Sequence, residues 1–165
     1  MLGSSPLEEK KTAKDLVPWI GRLVFLVGLM ISALDHSIEQ RGWFEPSTMF
    51  ILGVVMFIIG LSLYFTSRIF LGRLFSEKIR FKPDHKLITT GPYRHIRHPV
   101  YLGEMFYFLS FPIIFSSLYG LLIMLLIVPI LVHRIGYEEK ALSDKFGKEF
   151  ENYKGRTWKL VPFIY

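Results

Sequence analysis

Hydrophobic residues lie in four long blocks, and the charged residues collect between them. The blocks are Pro18–Leu34, Ser47–Phe70, Pro99–Ser116 and Leu118–Val132. A helix needs roughly 20 apolar residues to cross a bilayer, or slightly fewer when its charged ends reach the interface. The pattern therefore predicts an all-α integral membrane protein with about four transmembrane helices, in a single domain that spans residues 1–165.

The third and fourth blocks are short, and only a few uncharged residues around Ser116–Gly120 join them. This spacing predicts a tight C-terminal helical hairpin. Because proline lacks a backbone N–H, Pro112 and Pro129 should kink the two helices, and neighbouring helices in a membrane can accommodate such kinks.

Beyond the hairpin the chain changes to a surface pattern. Apolar residues recur there at helical spacing with polar residues between them: Leu142, Phe146, Phe150 and Tyr153. Such a stripe predicts an amphipathic cytosolic helix that lies back on the bundle and covers a cofactor pocket. We expect residues 133–165 to form a cytosolic C-terminal region, and the polar stretch 1–17 to be frayed or interfacial.

Composition agrees with a membrane protein and excludes other classes. The chain is 51% hydrophobic with a mean hydropathy of +0.36, which is too apolar for a soluble domain of 165 residues. It has no cysteine, which excludes disulfides and cysteine-based metal sites. Its net charge of +6 does not indicate a nucleic-acid partner, because the basic residues flank membrane segments.

Positive charge is distributed unevenly between the two ends of the predicted helices. The N-terminal stretch, the loop Thr66–His98 and the C-terminal region hold eighteen Lys and Arg residues, whereas the first loop holds only Arg41. The positive-inside rule therefore predicts that both termini lie in the cytosol. The short loops and small size suggest a prokaryotic plasma membrane.

The densest group of polar side chains, Gly91–Glu104, surrounds the start of the third block. Proline suits the first position of a helix, so Pro99 makes His98 the predicted N-cap residue. Arg97 and two neighbouring basic residues stand beside that helix start, whose free N–H groups carry partial positive charge. The pattern predicts a site for a carboxylate or a phosphate at the membrane boundary.

Further along the same helix, Arg97, Tyr101 and Glu104 share one stripe. Glu104 is an ionisable group about one and a half turns inside an apolar run, where a charge is costly and usually functional. Gly103 allows a neighbouring helix or a ligand to approach closely.

A second polar block follows the hairpin. Glu138 and Glu139 come one helical turn after Arg134, and the hairpin returns them to the face that carries Arg97 and His98. A carboxylate pair opposite an anion-binding helix start suits a zwitterion, of which an amino acid moiety is the simplest. The alternative interpretation is ordinary interfacial charge. No HxxxH or HExxH spacing occurs in the sequence, so no metal site is predicted.

Together the two blocks resemble the isoprenylcysteine carboxyl methyltransferase and phospholipid methyltransferase superfamily of integral membrane enzymes. "GPYRHIRHPVYLG" matches the pattern G-x-Y-x-x-x-R-H-P-x-Y-x-G, and "RIGYEEKALSDKFGKEFENY" matches R-x-x-x-E-E-x-x-L-x-x-x-F-G-x-x-Y/F-x-x-Y. The ending "RTWKLVPFIY" is also similar to the usual close of the family. The resemblance runs from about Arg68 to the C-terminus and omits the first span.

This resemblance implies S-adenosylmethionine as the cofactor. By motif position it implies that the cofactor site is formed by Lys86, Leu87, Tyr93, His98, Tyr101, Gly103, Glu138 and Glu139. It also implies that Arg97 and Arg134 are catalytic residues where the methyl acceptor meets the sulfonium. A carboxylate such as Glu104 or Glu139 would accept the proton if the acceptor were an amine.

The acceptor is expected to be a lipid or a lipidated molecule, because the site lies at the bilayer surface. Activity like that of an isoprenylcysteine carboxyl methyltransferase is the leading prediction. Three alternatives stay open: a phosphatidylethanolamine N-methyltransferase, an NADPH-dependent sterol-type reductase and a non-catalytic membrane scaffold. Val100 after the RHP string and the Glu138–Glu139 pair differ from the reductase pattern. The sequence leaves the oligomeric state open.

Overall fold

The computed structural model describes residues 6–39, 46–74 and 86–163. Within these ranges the chain forms α-helices α1 (Pro6–Glu39), α2 (Pro46–Leu71), α3 (Pro99–Ile114), α4 (Leu118–Met124), α5 (Ile127–Phe146) and α6 (Lys148–Lys154), with short 3₁₀ helices at Gly72–Leu74 and Gly91–Arg94. The start of the predicted N-terminal stretch, Arg41 in the first loop and the last two residues lie outside the described ranges.

Three segments are long and apolar enough to cross a membrane: Val17–Ile38, Ser47–Leu74 and Leu118–Phe146. The remaining apolar helix, Pro99–Ile114, is shorter. The predicted all-helical membrane architecture is therefore confirmed, with three helices of spanning length in the described part of the chain. The predicted third span corresponds to Pro99–Ile114, which is shorter than the length needed to cross a bilayer unaided, so four spans are not confirmed.

The N-terminal polar stretch differs from its prediction. Helix α1 already begins at Pro6, so residues 6–17 are helical and continuous with the first span. The physical reason lies in the local composition, because Glu, Lys, Ala and Leu dominate this stretch and are strong helix formers. A helix differs from the predicted fraying of residues 6–17, whereas their predicted interfacial position stays a prediction.

The fourth predicted span is divided differently along the chain. The helix breaks at Leu125–Leu126, and α5 then runs through His133 without interruption to Phe146. Pro129 occupies the third position of α5, within the first turn, where the N–H that it lacks has no helical partner to lose. Pro129 therefore lies at the start of α5 and does not kink the middle of a helix. The predicted end of the fourth membrane helix at Val132 is wrong, because α5 continues to Phe146.

The predicted amphipathic helix is likewise two helices. Gly147 has a φ of 51° and separates α5 from α6. The glycine tolerates this left-handed backbone, which side chains disfavour. Phe150 and Tyr153 of α6 are buried, so the predicted apolar stripe packs inward, but with a turn between its two halves.

Helices α2 and α3 form the most extensive helix contact in the described structure. A Cβ added to Gly60 would lie 2.5 Å from the backbone nitrogen of Tyr107 and 2.9 Å from the carbonyl oxygen of Gly103. A Cβ on Gly103 would lie 2.7 Å from the backbone nitrogen of Tyr64. The two backbones therefore approach closely because small residues meet, as is common between membrane helices.

We expect Gly60→Ala to destabilise the protein, because the added methyl group meets backbone atoms that cannot move aside. Overpacking of this kind costs roughly 1–3 kcal/mol. Thermal unfolding in detergent measures the effect.

Gly136→Ala is the matched control, because a Cβ at this helical glycine would meet nothing within 4 Å. Alanine favours a helix over glycine by about 0.5–1 kcal/mol, so this variant should melt at or above the native temperature. Equal melting of both variants would contradict the close α2–α3 contact.

Candidate active site

The start of α3 is built as the sequence predicts. Pro99 is the first helical residue and His98 is the N-cap residue, with non-helical backbone dihedrals (φ −124°, ψ 56°) and no hydrogen bond from its own side chain to the helix. Both residues are buried. The imidazole of His98 is thus available for other contacts.

The C-terminal segment pairs with the chain just before α3. The backbone N–H of Trp158 donates to the carbonyl of His95 at 2.9 Å, and that of Arg97 donates to the carbonyl of Trp158 at 2.8 Å. The N–H of His98 donates to the carbonyl of Lys159 at 3.2 Å. These bonds hold the closing segment of the chain against the N-terminus of α3.

The Arg97 guanidinium is held by partners within the protein. Its Nε donates to Oε1 of Glu139 at 2.8 Å, and its Nη1 donates to the carbonyl of Lys154 at 3.2 Å and to Oγ1 of Thr157 at 3.3 Å. The carbonyl of Thr157 also accepts from Nη1. The side chain is 9% exposed. Arg97 therefore ties α5 and the C-terminal segment to α3.

Glu139 is the acceptor for several basic side chains. Its Oε1 lies 2.8 Å from Nε of Arg97 and 3.3 Å from Nε2 of His98, and its Oε2 lies 3.5 Å from Nζ of Lys159. The gap that the sequence suggested between the carboxylate pair and the basic helix start is closed here by direct ion pairs. Glu139 is buried behind the site.

Glu138 faces the other way and forms a separate chain of hydrogen bonds. The Tyr101 hydroxyl donates to Oε2 of Glu138 at 2.6 Å and accepts from Nε of Arg134 at 2.8 Å. The Arg134 guanidinium carbon also lies 5.8 Å from the centre of the Tyr101 ring. The Tyr101 hydroxyl therefore lies between a guanidinium and a carboxylate and holds both in place.

These groups line a cavity of about 230 Å³. Among the predicted site residues, its walls contain Lys86, Leu87, Tyr93, Arg97, His98, Tyr101, Glu104, Arg134 and Glu138. The predicted positions Gly103 and Glu139 are not among the lining residues: Gly103 packs against α2, and Glu139 lies behind Arg97 and His98. The other end of the cavity is apolar and includes Phe108, Ile127, Ile130 and Leu131.

Two buried tyrosines outside the spanning segments complete the polar end. The Tyr153 hydroxyl donates to the carbonyl of Tyr93 at 2.7 Å, and the Tyr93 hydroxyl donates to the carbonyl of Ser67 at 3.4 Å. Burial raises the pKa of both phenols above the ordinary value, and the negative charge of Glu138 raises the pKa of Tyr93 further. Both stay neutral donors at physiological pH and connect α6 to α2.

Sequence reasoning missed several residues at the site. Thr157 and Lys159 contact the buried ion pairs from the C-terminal segment, and the string "RTWKLVPFIY" was the signal for them. Helix α1 supplies Gly21 and Arg22 to the cavity wall. Arg22 was visible as a charge inside the first apolar block, but only packing brings that block to the cavity.

Comparison with known proteins agrees with these observations. The model of the isoprenylcysteine carboxyl methyltransferase family matches residues 51–144. Protein-S-isoprenylcysteine O-methyltransferase B of Arabidopsis thaliana is 30% identical over 153 residues, which cover 91% of this chain and 71% of that protein. A probable protein-S-isoprenylcysteine O-methyltransferase of Oryza sativa subsp. indica is 30% identical over 85% of this chain and 76% of its own length.

A solved structure shares the fold. The structure of a eukaryotic intramembrane Ras methyltransferase, an isoprenylcysteine carboxyl methyltransferase, matches with a TM-score of 0.75 and 25% identity over 85% of this chain. The present chain spans 52% of that longer chain. These comparisons support the leading prediction of a methyltransferase, and they do not support the reductase or the scaffold.

We expect Glu139→Gln to destabilise the protein. Removing the charge leaves Arg97 and its neighbours buried without a counter-ion, and breaking a buried ion pair costs about 3–5 kcal/mol. Glu151→Gln is the control, because that carboxylate is exposed and its contacts in the described part of the chain are with the side chains of Ser143 and Lys154 near the surface. Thermal unfolding in detergent should show a large shift for the first variant and little for the second. Equal shifts would contradict a structural role for Glu139.

Proposed function

The chain belongs to the isoprenylcysteine carboxyl methyltransferase family, and on that premise we propose that it methylates the carboxylate of a prenylated cysteine at the membrane surface, with S-adenosylmethionine as the methyl donor. The observation that carries the proposal is the wall of the cavity where Tyr101 joins Arg134 to Glu138. A cation and an anion are presented there, beside an apolar lining.

The proposed acceptor suits the two ends of this cavity. A prenylated cysteine combines a carboxylate with a long hydrocarbon chain. The Arg134 guanidinium fits the carboxylate, and the apolar end with Phe108, Ile130 and Leu131 fits the hydrocarbon. Since membrane helices line the cavity, we propose that an acceptor anchored in the bilayer enters it directly from the lipid.

The residues present also fit S-adenosylmethionine. Glu138 supplies a carboxylate for an ammonium group, His98 supplies a ring nitrogen at the helix start, and Tyr93 and Leu87 supply apolar surface for the remainder. When bound, S-adenosylmethionine provides an electrophilic methyl group on a sulfonium. The role of Glu138 is to hold the amino acid end, and that of the buried tyrosines is to exclude water.

Arg134 has the proposed role of holding the acceptor carboxylate. Its Nε donates to the Tyr101 hydroxyl and the residue lines the cavity, which places its positive charge at the wall where the acceptor would bind. An ionised carboxylate needs no general base, so positioning is the main task of the protein. Glu104 also lines the cavity, and its charge acts on Arg134. Its proposed role is to orient that guanidinium.

Arg97 is proposed as a positioning residue. Its side-chain hydrogen bonds go to Glu139, Lys154 and Thr157, all within the protein. It acts on the reaction by holding the helix start and His98 in place. The motif position of Arg97 alone implies that it contacts the acceptor, whereas we propose that it holds the site in place from behind.

Methyl transfer from labelled S-adenosylmethionine to a panel of acceptors tests the function. The purified protein in lipid should methylate S-farnesylated N-acetylcysteine and form an ester that base hydrolyses. Transfer to phosphatidylethanolamine instead would replace the proposal with amine methylation, for which Glu104 would be the candidate base. Transfer to neither would overturn it.

Arg134→Lys should lower turnover about tenfold or more, because lysine cannot bond to Tyr101 and present a planar fork at the same time. Arg156→Lys is the matched control, since Arg156 is exposed and does not line the cavity. Turnover at saturating substrates is the measurement. Equal turnover in the two variants would remove Arg134 from the site.

We also propose that both termini face the cytosol, since eighteen basic residues flank the cytosolic side against Arg41 alone in the first loop. The expected membrane remains the prokaryotic plasma membrane, although the relatives named above are eukaryotic. Because the chain has no cysteine, Ser47→Cys and Lys148→Cys each carry a unique thiol. An impermeant maleimide should label only the first in intact cells, and the reverse pattern would invert the topology.

A further inference from the structure

One face of α1 forms a wall of the cavity. Val17, Pro18, Gly21 and Arg22 all line it, and their spacing places them on a single side of the helix. The matched family model begins at residue 51, so this wall lies outside the segment that the family model describes. The face therefore adds chemistry that the two shared sequence blocks do not contain.

Gly21 leaves open space in that wall. A Cβ at Gly21 would meet nothing within 4 Å, whereas a Cβ at Gly28, two turns further along α1, would lie 2.9 Å from the Met124 side chain. The same helix is thus tightly packed at one level and open at the level of the cavity. The open space beside Gly21 therefore belongs to the cavity, because α1 is tightly packed at Gly28.

Arg22 brings a positive charge to the same wall. It lies in the second turn of the segment Val17–Ile38, where its exposed side chain can reach the interface and also lines the cavity. Its guanidinium carbon lies 5.0 Å from the centre of the Trp19 ring. Trp19 is exposed and does not itself line the cavity, so this contact places the guanidinium at the outer edge of the cavity wall.

From these observations we infer that the Gly21–Arg22 wall of α1 determines which acceptor the enzyme takes. Arg22 binds the anionic group of the acceptor from the side opposite α5, and Gly21 leaves the space through which the acceptor's hydrocarbon chain passes. The inference rests on the proposed function and adds the residues that select the acceptor. The same guanidinium chemistry would also suit a lipid phosphate, and the experiments separate these two anions.

The first experiment uses the absence of cysteine from the chain. Gly21→Cys places one thiol in the wall, and Gly136→Cys places one at another open helical glycine that does not line the cavity. A water-soluble methanethiosulfonate should modify both. S-Farnesylated N-acetylcysteine should slow modification of the first at least fivefold and leave the second unchanged.

Protection of Gly21→Cys does not depend on turnover, so it separates this inference from the proposed function. If the protein transfers no methyl group but the prenylated cysteine still protects the thiol, the proposed function is rejected and the inference that the Gly21–Arg22 wall binds the acceptor is supported. A thiol at position 21 that does not react, or that reacts equally with and without the acceptor, overturns the wall.

The second experiment tests the charge of Arg22. Arg22→Gln should raise the KM for the prenylated cysteine carboxylate about tenfold, with kcat and the Kd for S-adenosylmethionine nearly unchanged, because a charge-assisted hydrogen bond to substrate is lost. Arg22→Lys should restore most of the affinity. Binding of the uncharged methyl ester should be equal in all three proteins.

The two anions give different results in vesicles. If Arg22 binds the acceptor, the KM effect persists in vesicles of phosphatidylcholine alone and in vesicles that also contain phosphatidylglycerol. If Arg22 binds a lipid phosphate, Arg22→Gln leaves the KM unchanged in detergent that lacks phospholipid, and that outcome overturns the inference.

Discussion

Glu139 is buried, and its carboxylate accepts contacts from Arg97, His98 and Lys159. Taking these charges out of water costs several kcal/mol for each ion unless each finds a close counter-charge. The cluster is therefore stable only when α3, α5 and the C-terminal segment meet in one arrangement. Arg97 adds hydrogen bonds to carbonyls of that segment, and Trp158 pairs with the chain before α3. The site depends on this junction, because Arg97 and His98 of the cavity wall contact Glu139 directly.

Because α5 is one continuous helix, it fixes the positions of Arg134, Glu138 and Glu139 relative to one another. Arg134 and Glu138 are one turn apart on a rigid helix, so both reach the hydroxyl of Tyr101 on α3. Glu139, the next residue, points to the other side and holds Arg97. Two adjacent carboxylates thus have different positions: Glu138 lines the cavity, and Glu139 holds Arg97 and His98 of the cavity wall from behind. In a methyltransferase whose main work is positioning, this division explains how a small membrane protein keeps its acceptor and cofactor sites in register.

Several parts of this arrangement could be predicted from the sequence, and the reasons are local. Proline at residue 99 defines the start of α3 because proline lacks an N–H, and the structure confirms His98 as the N-cap residue. The apolar blocks predict membrane helices because their length matches a bilayer. The boundary at Leu125–Leu126 was missed, because a proline in the first turn of a helix and a proline that kinks a helix look alike in sequence. The partners of Arg97 could not be predicted, since they are the Glu139 carboxylate and two backbone carbonyls some sixty residues away.

By itself the sequence determined that the protein is helical and membrane-embedded, and that its polar chemistry lies in two blocks at the ends of the third and fourth segments. These properties depend on hydrophobic length, helix propensity and charge bias, which neighbouring residues set. Only the tertiary structure decided that Glu138 lines the cavity while Glu139 does not, that Gly103 serves the contact with α2, and that α1 contributes Arg22. Which way a side chain on a helix faces, and which distant residues it contacts, depend on packing. A buried charge finds its counter-charge, and two backbones come into close contact, only when separate segments of the chain meet.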